Sequence, residues 1–182
     1  GFFDQPRDTR PRPRQGDPPV NTPTAIDEAR RLAALRELGV LDTSPEAAFD
    51  TITRTAAQLC GVPIALISLI DAQRQWFKSN VGLAGVAETP RDAAFCDHAI
   101  RDAALLEVPD ATLDARFAAN PLVTGPPDIR FYAGAPITLP GGERIGTVCV
   151  IDRAPNRLDE HQRTVLQGLA AIVGAMLTQR RQ

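Results

Sequence analysis

The spacing of apolar residues changes along the chain, and the first regular spacing predicts a helix. Between Ala29 and Leu38 apolar residues recur every three or four positions, which gives an α-helix one apolar face. Thr24 and Asp27 stand at the two positions of a capping box ahead of this stretch, and Gly39 follows it. We therefore predict a helix that begins near residue 25 and ends before Gly39.

A second stretch with helical spacing runs from Phe49 to Cys60. Ser44 precedes Pro45, and serine is a favourable N-cap when proline takes the first helical position. We expect this helix to begin at Ser44 and to end at Gly61. Cys60 lies on its apolar face, so we expect it in the core.

The next stretches change to the spacing of β-strands. Residues 64–70 are apolar at both odd and even positions, so this strand has to be covered on both faces of a sheet. Residues 75–81 alternate instead, and a tight connection between the two stretches indicates antiparallel pairing. Trp76, Lys78 and Asn80 are predicted on one side, with Phe77, Ser79 and Val81 on the other.

Three further strands are predicted at residues 105–108, 130–137 and 144–151, which gives about five antiparallel strands. Two long excursions leave this sheet, one around Phe95 and one at residues 110–128. Because binding residues are often carried on such loops, we expect a small-molecule pocket under them.

The last predicted helix carries two apolar stripes. Asp159 and Gln162 form a candidate capping box at its start. One stripe consists of Val165, Leu169, Ile172 and Met176, and the other of Leu166, Ala170, Val173 and Leu177. We expect one stripe to cover the sheet and the other to form a homodimer; the alternative is a helix buried on a broad face within one chain. The helix is expected to continue into a downstream output domain.

Composition narrows the range of functions. The net charge of −2 with mixed signs argues against nucleic acid and anionic membranes as partners. The longest apolar run, residues 64–70, is too short to cross a bilayer. The three cysteines are widely spaced, which favours neither a disulfide framework nor a zinc site and fits a reducing cytoplasm.

The first 23 residues differ from the rest of the chain. Prolines alternate with arginines there, which removes backbone donors and leaves little to bury. We interpret residues 1–23 as a tail or linker, with a polyproline-type ligand for another module as the alternative. Residues 24–182 then form one domain. The chain does not begin with Met, and we expect it to be part of a longer or processed protein.

Six motifs in order resemble a GAF domain of the bacterial subgroup found upstream of sensor histidine kinases and diguanylate cyclases. They are Asp-Thr-Ser-Pro-Glu at 42–46, Gly-Val-Pro-Ile-Ala at 61–65, Gln-Trp-Phe-Lys at 75–78, Phe-Cys-Asp-His-Ala-Ile at 95–100, Arg-Phe-Tyr-Ala-Gly-Ala-Pro at 130–136 and Gly-Thr-Val-Cys-Val-Ile-Asp at 146–152. The resemblance implies an α+β fold with a central antiparallel sheet of five to six strands. The N- and C-terminal helices would cover one face, and pocket-forming loops and short helices the other.

The resemblance also implies a sensory module of a signal-transduction protein that passes ligand state through its terminal helices. Cyclic-nucleotide and bilin binding are not favoured, because the only lysine is Lys78 in the wrong setting and Cys96 is not followed directly by His or Tyr. No particular ligand or cofactor is identified. The alternatives are a structural dimerisation module with a filled pocket, a cysteine-based redox sensor, and an enzyme resembling the free methionine sulfoxide reductases.

The candidate ligand-binding residues are Trp76, Phe95, Cys96, His98, Asp110, Arg130, Tyr132 and Gly134. An arginine beside a tyrosine suits a carboxylate, and glycine permits close approach to the backbone. The alternative for Arg130 is an ion pair with Asp110 or Asp128. Cys96 and His98 are two residues apart on a predicted helix and cannot form a nucleophile–base pair, and two distant histidines do not make a zinc site. We expect no catalytic residues and no metal.

Overall fold

The computed structural model describes residues 25–180, and the predicted tail at 1–23 lies outside them. The helices are α1 Ala25–Glu37, α2 Ala47–Cys60, α3 Phe95–Ala99, α4 Pro121–Thr124 and α5 Glu160–Gln179. The strands are β1 Ile64–Ile70, β2 Arg74–Val81, β3 Glu88–Pro90, β4 Leu106–Val108, β5 Phe131–Thr138 and β6 Arg144–Asp152. Two single 3-10 turns, Arg91–Ala93 and Ala111–Leu113, lie in the excursions.

The strands form one antiparallel sheet in the order β3-β2-β1-β6-β5-β4. All seven residues of β1 are buried, which confirms the prediction that this strand is covered on both faces. The three-residue strand β3 was not predicted, because a segment that short carries no alternation. The α+β fold with a central antiparallel sheet is confirmed.

The two faces of the sheet are covered differently. α1, α2 and α5 pack on one face and bury the larger apolar cluster, which includes Leu35, Phe49 and Leu166. The other face is covered by α3, α4 and the loops beside them, which bury a second cluster that includes Phe95, Phe117 and Tyr132. No helix among residues 25–180 is long and apolar enough to span a membrane.

The N-terminus of α5 is capped as the sequence predicts, whereas the N-terminus of α2 is not. Asp159 and Gln162 form the predicted capping box at the start of α5. The prediction of Ser44 as the N-cap of α2 is wrong, since the N-cap is Glu46. The ammonium group of Lys78 explains the difference, because it binds the Ser44 carbonyl at 2.7 Å and the Glu46 carboxylate at 2.5 Å. These contacts hold Glu46 in an extended conformation ahead of the helix.

A β-bulge at Lys78 changes the predicted alternation of β2. Ile67 pairs with Ser79 and the next residue, Ser68, pairs with Phe77, so Lys78 is the extra residue. Ser79 consequently faces the helices, where its hydroxyl donates to Asp50 at 2.6 Å. The prediction that Ser79 shares a side with Phe77 is therefore wrong, whereas Trp76 and Lys78 do share the helix side.

Gly146 on β6 permits the close approach of β1, and we expect a Gly146→Ala variant to be destabilised by about 2–4 kcal/mol. A methyl group at this position would overlap the carbonyl oxygen of Ser68 and the backbone of Leu69, which are parts of a central strand and cannot yield. Urea denaturation monitored by circular dichroism measures the change. Gly168→Ala is the matched control, because a methyl group there meets open space on α5 and should stabilise the helix by up to about 1 kcal/mol. Equal stability of the Gly146→Ala variant and the parent would contradict this account.

Candidate functional site

The second face of the sheet holds most of the predicted site residues, and aromatic side chains fill its centre. Phe95 of α3 stacks on Phe117 with ring centroids 4.2 Å apart and contacts the ring of Tyr132 at 5.2 Å. All three side chains are buried. Phe117 belongs to the second excursion, so the two excursions meet over the sheet as predicted.

The sulfur of Cys96 is buried on the same face and is surrounded by polar groups from three strands. It lies 3.1 Å from Oγ1 of Thr147, 3.2 Å from the hydroxyl of Tyr132 and 3.3 Å from Oγ of Ser68. The sulfur of Cys149 is 3.9 Å away. Both cysteines are free and buried, so Cys96 is held in a closed cluster of hydroxyl and thiol groups. We call these five residues the thiol cluster.

The surroundings of Cys96 favour its thiolate form. Burial raises the pKa of the thiol, but the four hydrogen bonds to its sulfur outweigh burial and lower that pKa from 9.0 to about 7. The pKa of Cys149 moves in the opposite direction, because the hydrogen bond that it shares with Cys96 and its burial both favour its neutral thiol. Burial also raises the pKa of Tyr132. Within the thiol cluster, Cys96 is therefore the group that ionises first.

Gly134 leaves room for the side chain of Tyr132. Tyr132 and Gly134 point to the same face of β5, and a Cβ atom on Gly134 would overlap the phenol hydroxyl of Tyr132. The expected open approach to the backbone is filled by this phenol. Glycine at this position allows the tyrosine to lie along the strand and reach Cys96.

Trp76 and His98 lie away from the thiol cluster. Trp76 belongs to the apolar cluster under the helices, on the other face of the sheet from Phe95. His98 is half-buried at the rim, where its ring meets the edge of Phe117 at 4.9 Å. Burial and the nearby Arg101 lower the pKa of His98. Cys96 and His98 point to different surroundings, as the helical spacing predicted.

Arg130 and Asp110 organise the loops. The guanidinium of Arg130 donates to the carbonyl oxygens of Val123 at 2.9 Å and Ile129 at 3.0 Å, which fixes the end of α4. No ion pair joins Arg130 to Asp110 or Asp128 in the described part of the chain. Asp110 caps the following turn by accepting from the amide of Thr112 at 3.0 Å. Both side chains therefore shape the excursion that carries Phe117.

Sequence reasoning missed several members of this site. Ser68 and Thr147 are paired neighbours on β1 and β6, and both are fully buried. The available signal was a single hydroxyl residue inside each of two otherwise apolar strands. Phe117 offered no such signal, because it lies in an irregular loop.

An ionic bridge connects α3 to α1 around the edge of the sheet. Arg91 donates from Nε to Asp97 of α3 at 2.9 Å and from Nη1 to Glu28 of α1 at 2.5 Å. Glu28 also receives two hydrogen bonds of 2.8 Å from Arg31, whose Nη1 binds the carbonyl of Ile70. The Arg31 hydrogen bonds are the main reason that the pKa of Glu28 falls from 4.5 to about 2, with Arg91 adding to the effect against burial. We call Glu28, Arg91 and Asp97 the lid bridge.

Two depressions lie on the helix side of the molecule, away from the thiol cluster. One has a volume of about 390 Å3 between β5 and α5, beside Thr138 and Gly174. The other has a volume of about 330 Å3 between the start of α2 and the end of α5, beside Glu46 and Arg180. No group of three or more side chains suited to a metal ion occurs among residues 25–180.

The fold is that of a small α+β domain, and the sequence matches the GAF domain family over residues 44–177. The chain therefore belongs to the GAF family. It is 44% identical over 156 residues to the cyclic di-GMP phosphodiesterase PA2567 of Pseudomonas aeruginosa, an alignment that covers 85% of this chain and 26% of that protein. The chain thus spans about a quarter of the length of this relative.

Solved structures with the same fold include the GAF domain of a phosphoenolpyruvate-protein phosphotransferase from Coxiella burnetii. The TM-score is 0.63 at 15% identity, and the match covers 86% of this chain and 96% of that one. A type II free methionine-R-sulfoxide reductase from Thermoplasma acidophilum gives a TM-score of 0.60 at 11% identity, covering 73% of this chain and 92% of that one. At these identities the likeness concerns the fold alone.

The lid bridge should make stability depend on pH in the acid range. The pKa of Glu28 is lower in the folded chain than in the unfolded one, so its contribution is complete above about pH 5 and is lost as the pH falls towards 2. We expect the parent to exceed a Glu28→Gln variant by about 1–3 kcal/mol at neutral pH, with the difference shrinking below pH 4.5. Urea denaturation between pH 2 and 7 measures this.

Asp92→Asn is the matched control for that titration, because it removes an exposed carboxylate next to Arg91 that lies outside the lid bridge. Its stability difference from the parent should stay small across the same range. A Glu28→Gln difference that did not depend on pH would contradict the role given to this carboxylate.

Proposed function

We propose that this chain is a sensory GAF module of a cytoplasmic signal-transduction protein. A small molecule binding on the second face of the sheet would displace the α3 segment, and the terminal helices would pass this change to a fused output domain. The observation that carries the proposal is the lid bridge. It joins the helix that covers the proposed ligand side to a helix on the opposite face.

The contacts of α3 support a movable cover. This helix has five residues, and its neighbours hold it through side chains: the Phe95–Phe117 stack, the thiol cluster and the lid bridge. Asn120 adds a 3.1 Å hydrogen bond from its amide to the carbonyl of Ala93. Segments held in this way open at lower free energy than sheet strands. The filled centre would then be the closed form.

A displacement of α3 has a defined consequence for α1. Asp97 and Glu28 share one guanidinium, so withdrawal of Asp97 leaves Arg91 with fewer acceptors and alters the surroundings of Glu28. The cost of separating partly buried charges exceeds that of separating exposed ones. A ligand that prefers the open α3 position would therefore bias α1 between two packings.

The relative in Pseudomonas aeruginosa suggests the kind of output. It is named for turnover of cyclic di-GMP, and about three quarters of its length lie outside the region similar to this chain. We propose that an output domain acting on a nucleotide second messenger, or a kinase domain, carries the catalytic activity. This module would regulate that activity without catalytic residues of its own.

A second candidate function is a structural dimerisation module. The aromatic filling of Phe95, Phe117 and Tyr132 favours it, because a centre occupied by the chain's own side chains needs no ligand. The α5 helix supports a dimer in both cases. Its stripe with Leu166 and Val173 is buried on the sheet. In the other stripe Leu169 and Met176 are partly buried against the same cluster, and Ile172 is 51% exposed.

The lid bridge can be tested by hydrogen exchange on the 182-residue chain. We expect an Arg91→Ala variant to exchange amide protons roughly tenfold faster in both α1 and α3, because one guanidinium restrains both helices. Arg101→Ala is the matched control, since Arg101 also binds Asp97, at 3.1 Å, and is half-exposed. Its effect should be confined to α3. Faster exchange in α3 alone in the Arg91→Ala variant would contradict coupling between the two helices.

Native mass spectrometry of the protein purified from its own host distinguishes the two functions. A sensory module is expected to retain a small molecule as added mass, whereas a dimer without added mass would favour the structural module.

In an Ile172→Glu variant we expect the dimer to dissociate at least tenfold more readily, because a charge replaces an exposed apolar side chain in the interface. Gln167→Glu places the same charge on an exposed position of α5 outside both apolar stripes and should leave the dimer intact. Dimers of equal strength in all three proteins would contradict an interface at this stripe.

A further inference from the structure

Two of the three cysteines are brought together by the fold, although 53 positions separate them in the chain. The sulfur atoms of Cys96 and Cys149 lie 3.9 Å apart in the thiol cluster. A disulfide bond requires about 2.05 Å, so an approach of roughly 2 Å by one side chain would join them. Cys60 lies in the other apolar cluster, on the opposite face of the sheet.

The hydroxyl groups around Cys96 favour reaction at this sulfur. Thr147 and Tyr132 both donate to it, and a sulfur that accepts two hydroxyl hydrogen bonds is stabilised as a thiolate. The Ser68 hydroxyl lies between this sulfur and the side-chain oxygen of Gln75, at 3.3 Å from each, and can donate to either. The reacting form of the thiol is therefore supported from β1, β5 and β6.

We propose that Cys96 and Cys149 form a dithiol site that a small hydroperoxide oxidises to a disulfide, covalently fixing α3 to β6. Hydrogen peroxide is close to water in size and reaches the buried sulfur when α3 opens locally. This site goes beyond ligand sensing, because it needs only the reduced chain and the peroxide.

The reaction balances in two steps. The Cys96 thiolate attacks one oxygen of the peroxide: an S–O bond forms, the O–O bond breaks, and the leaving hydroxide takes a proton to become water. The sulfur is oxidised by two electrons to a sulfenic acid, and the peroxide is reduced by two. The sulfur of Cys149 then loses its proton and attacks the Cys96 sulfur: an S–S bond forms, the S–O bond breaks, and a second water leaves.

The charge distribution of the pair suits this order of events. While Cys96 is a thiolate, its hydrogen bond from Cys149 raises the pKa of the second thiol and keeps it protonated. Sulfenic acid formation removes that negative charge, so Cys149 can then lose its proton more easily. Oxidation of Cys96 thereby makes the thiol of Cys149 easier to deprotonate.

The test begins with the fully reduced 182-residue chain and one equivalent of hydrogen peroxide, followed by alkylation of free thiols. Trypsin should release residues 92–101 and 145–153 as one cross-linked species, two hydrogen atoms lighter than the two peptides together. Cys60 should carry the alkylating label. The disulfide should also raise the melting temperature by roughly 5–10 °C, since it closes a long loop.

Two variants separate the steps. In Cys149→Ser the reaction should stop at the sulfenic acid, which dimedone captures on Cys96. In Thr147→Val the first step should slow by about three- to tenfold, because one donor to the thiolate is lost. Cys60→Ser is the matched control and should give the cross-link at the parent rate.

Peptide mapping of the parent chain tests the proposed disulfide even if a variant fails to fold. Label on all three cysteines after excess peroxide would overturn the proposal. Oxidation of Cys60 at least as fast as that of Cys96, or a disulfide that joins two chains in place of Cys96 to Cys149, would also overturn it. The ligand and dimer measurements by native mass spectrometry do not depend on this result.

Discussion

Strands β1 and β6 impose the constraint on which the rest of the structure depends. They lie side by side in the middle of the sheet and are apolar on both faces, so both faces must be excluded from water. α1, α2 and α5, with 13, 14 and 20 residues, cover one face. The other face is covered by short segments that leave the sheet and return to it. The molecule therefore has one face covered by three long helices and one face covered by several short segments.

Two hydroxyl groups inside those central strands determine how the second face is assembled. Ser68 and Thr147 are buried partners in neighbouring strands, and buried hydroxyls need hydrogen-bond partners. The sulfur of Cys96 lies within hydrogen-bonding distance of both, which places α3 at one position over the sheet. Tyr132 reaches the same sulfur because Gly134 leaves space for its ring. The position of α3 thus follows because two buried hydroxyl groups in the apolar central strands need hydrogen-bond partners.

Sequence periodicity predicted α1, α2 and α5, five of the six strands and a sheet covered on both faces, since each depends on local spacing. It failed where one residue alters the register: the bulge at Lys78 moves Ser79 to the helix side, and the contacts of the same lysine displace the start of α2. The sequence indicated the region that forms the thiol cluster but only some of the residues in that cluster. Phe117 lies in an irregular loop, and Trp76 lies on a strand that is buried on both faces. In both cases tertiary packing decides which face of the sheet the aromatic ring covers, and local spacing does not show it.

Two neighbouring residues of α3 make its side-chain hydrogen bonds to the sheet and to Arg91. Cys96 points into the sheet, towards β6, and Asp97 points to the lid bridge, towards α1. A helix of five residues has little freedom to rearrange between two adjacent positions, so a displacement at one is transmitted to the other. A ligand that lifts α3 and a disulfide that fixes it would consequently act on the same ion pair in opposite directions. Under both proposals, therefore, Glu28 of α1 is where the chemical state of the second face is converted into a change in a terminal helix.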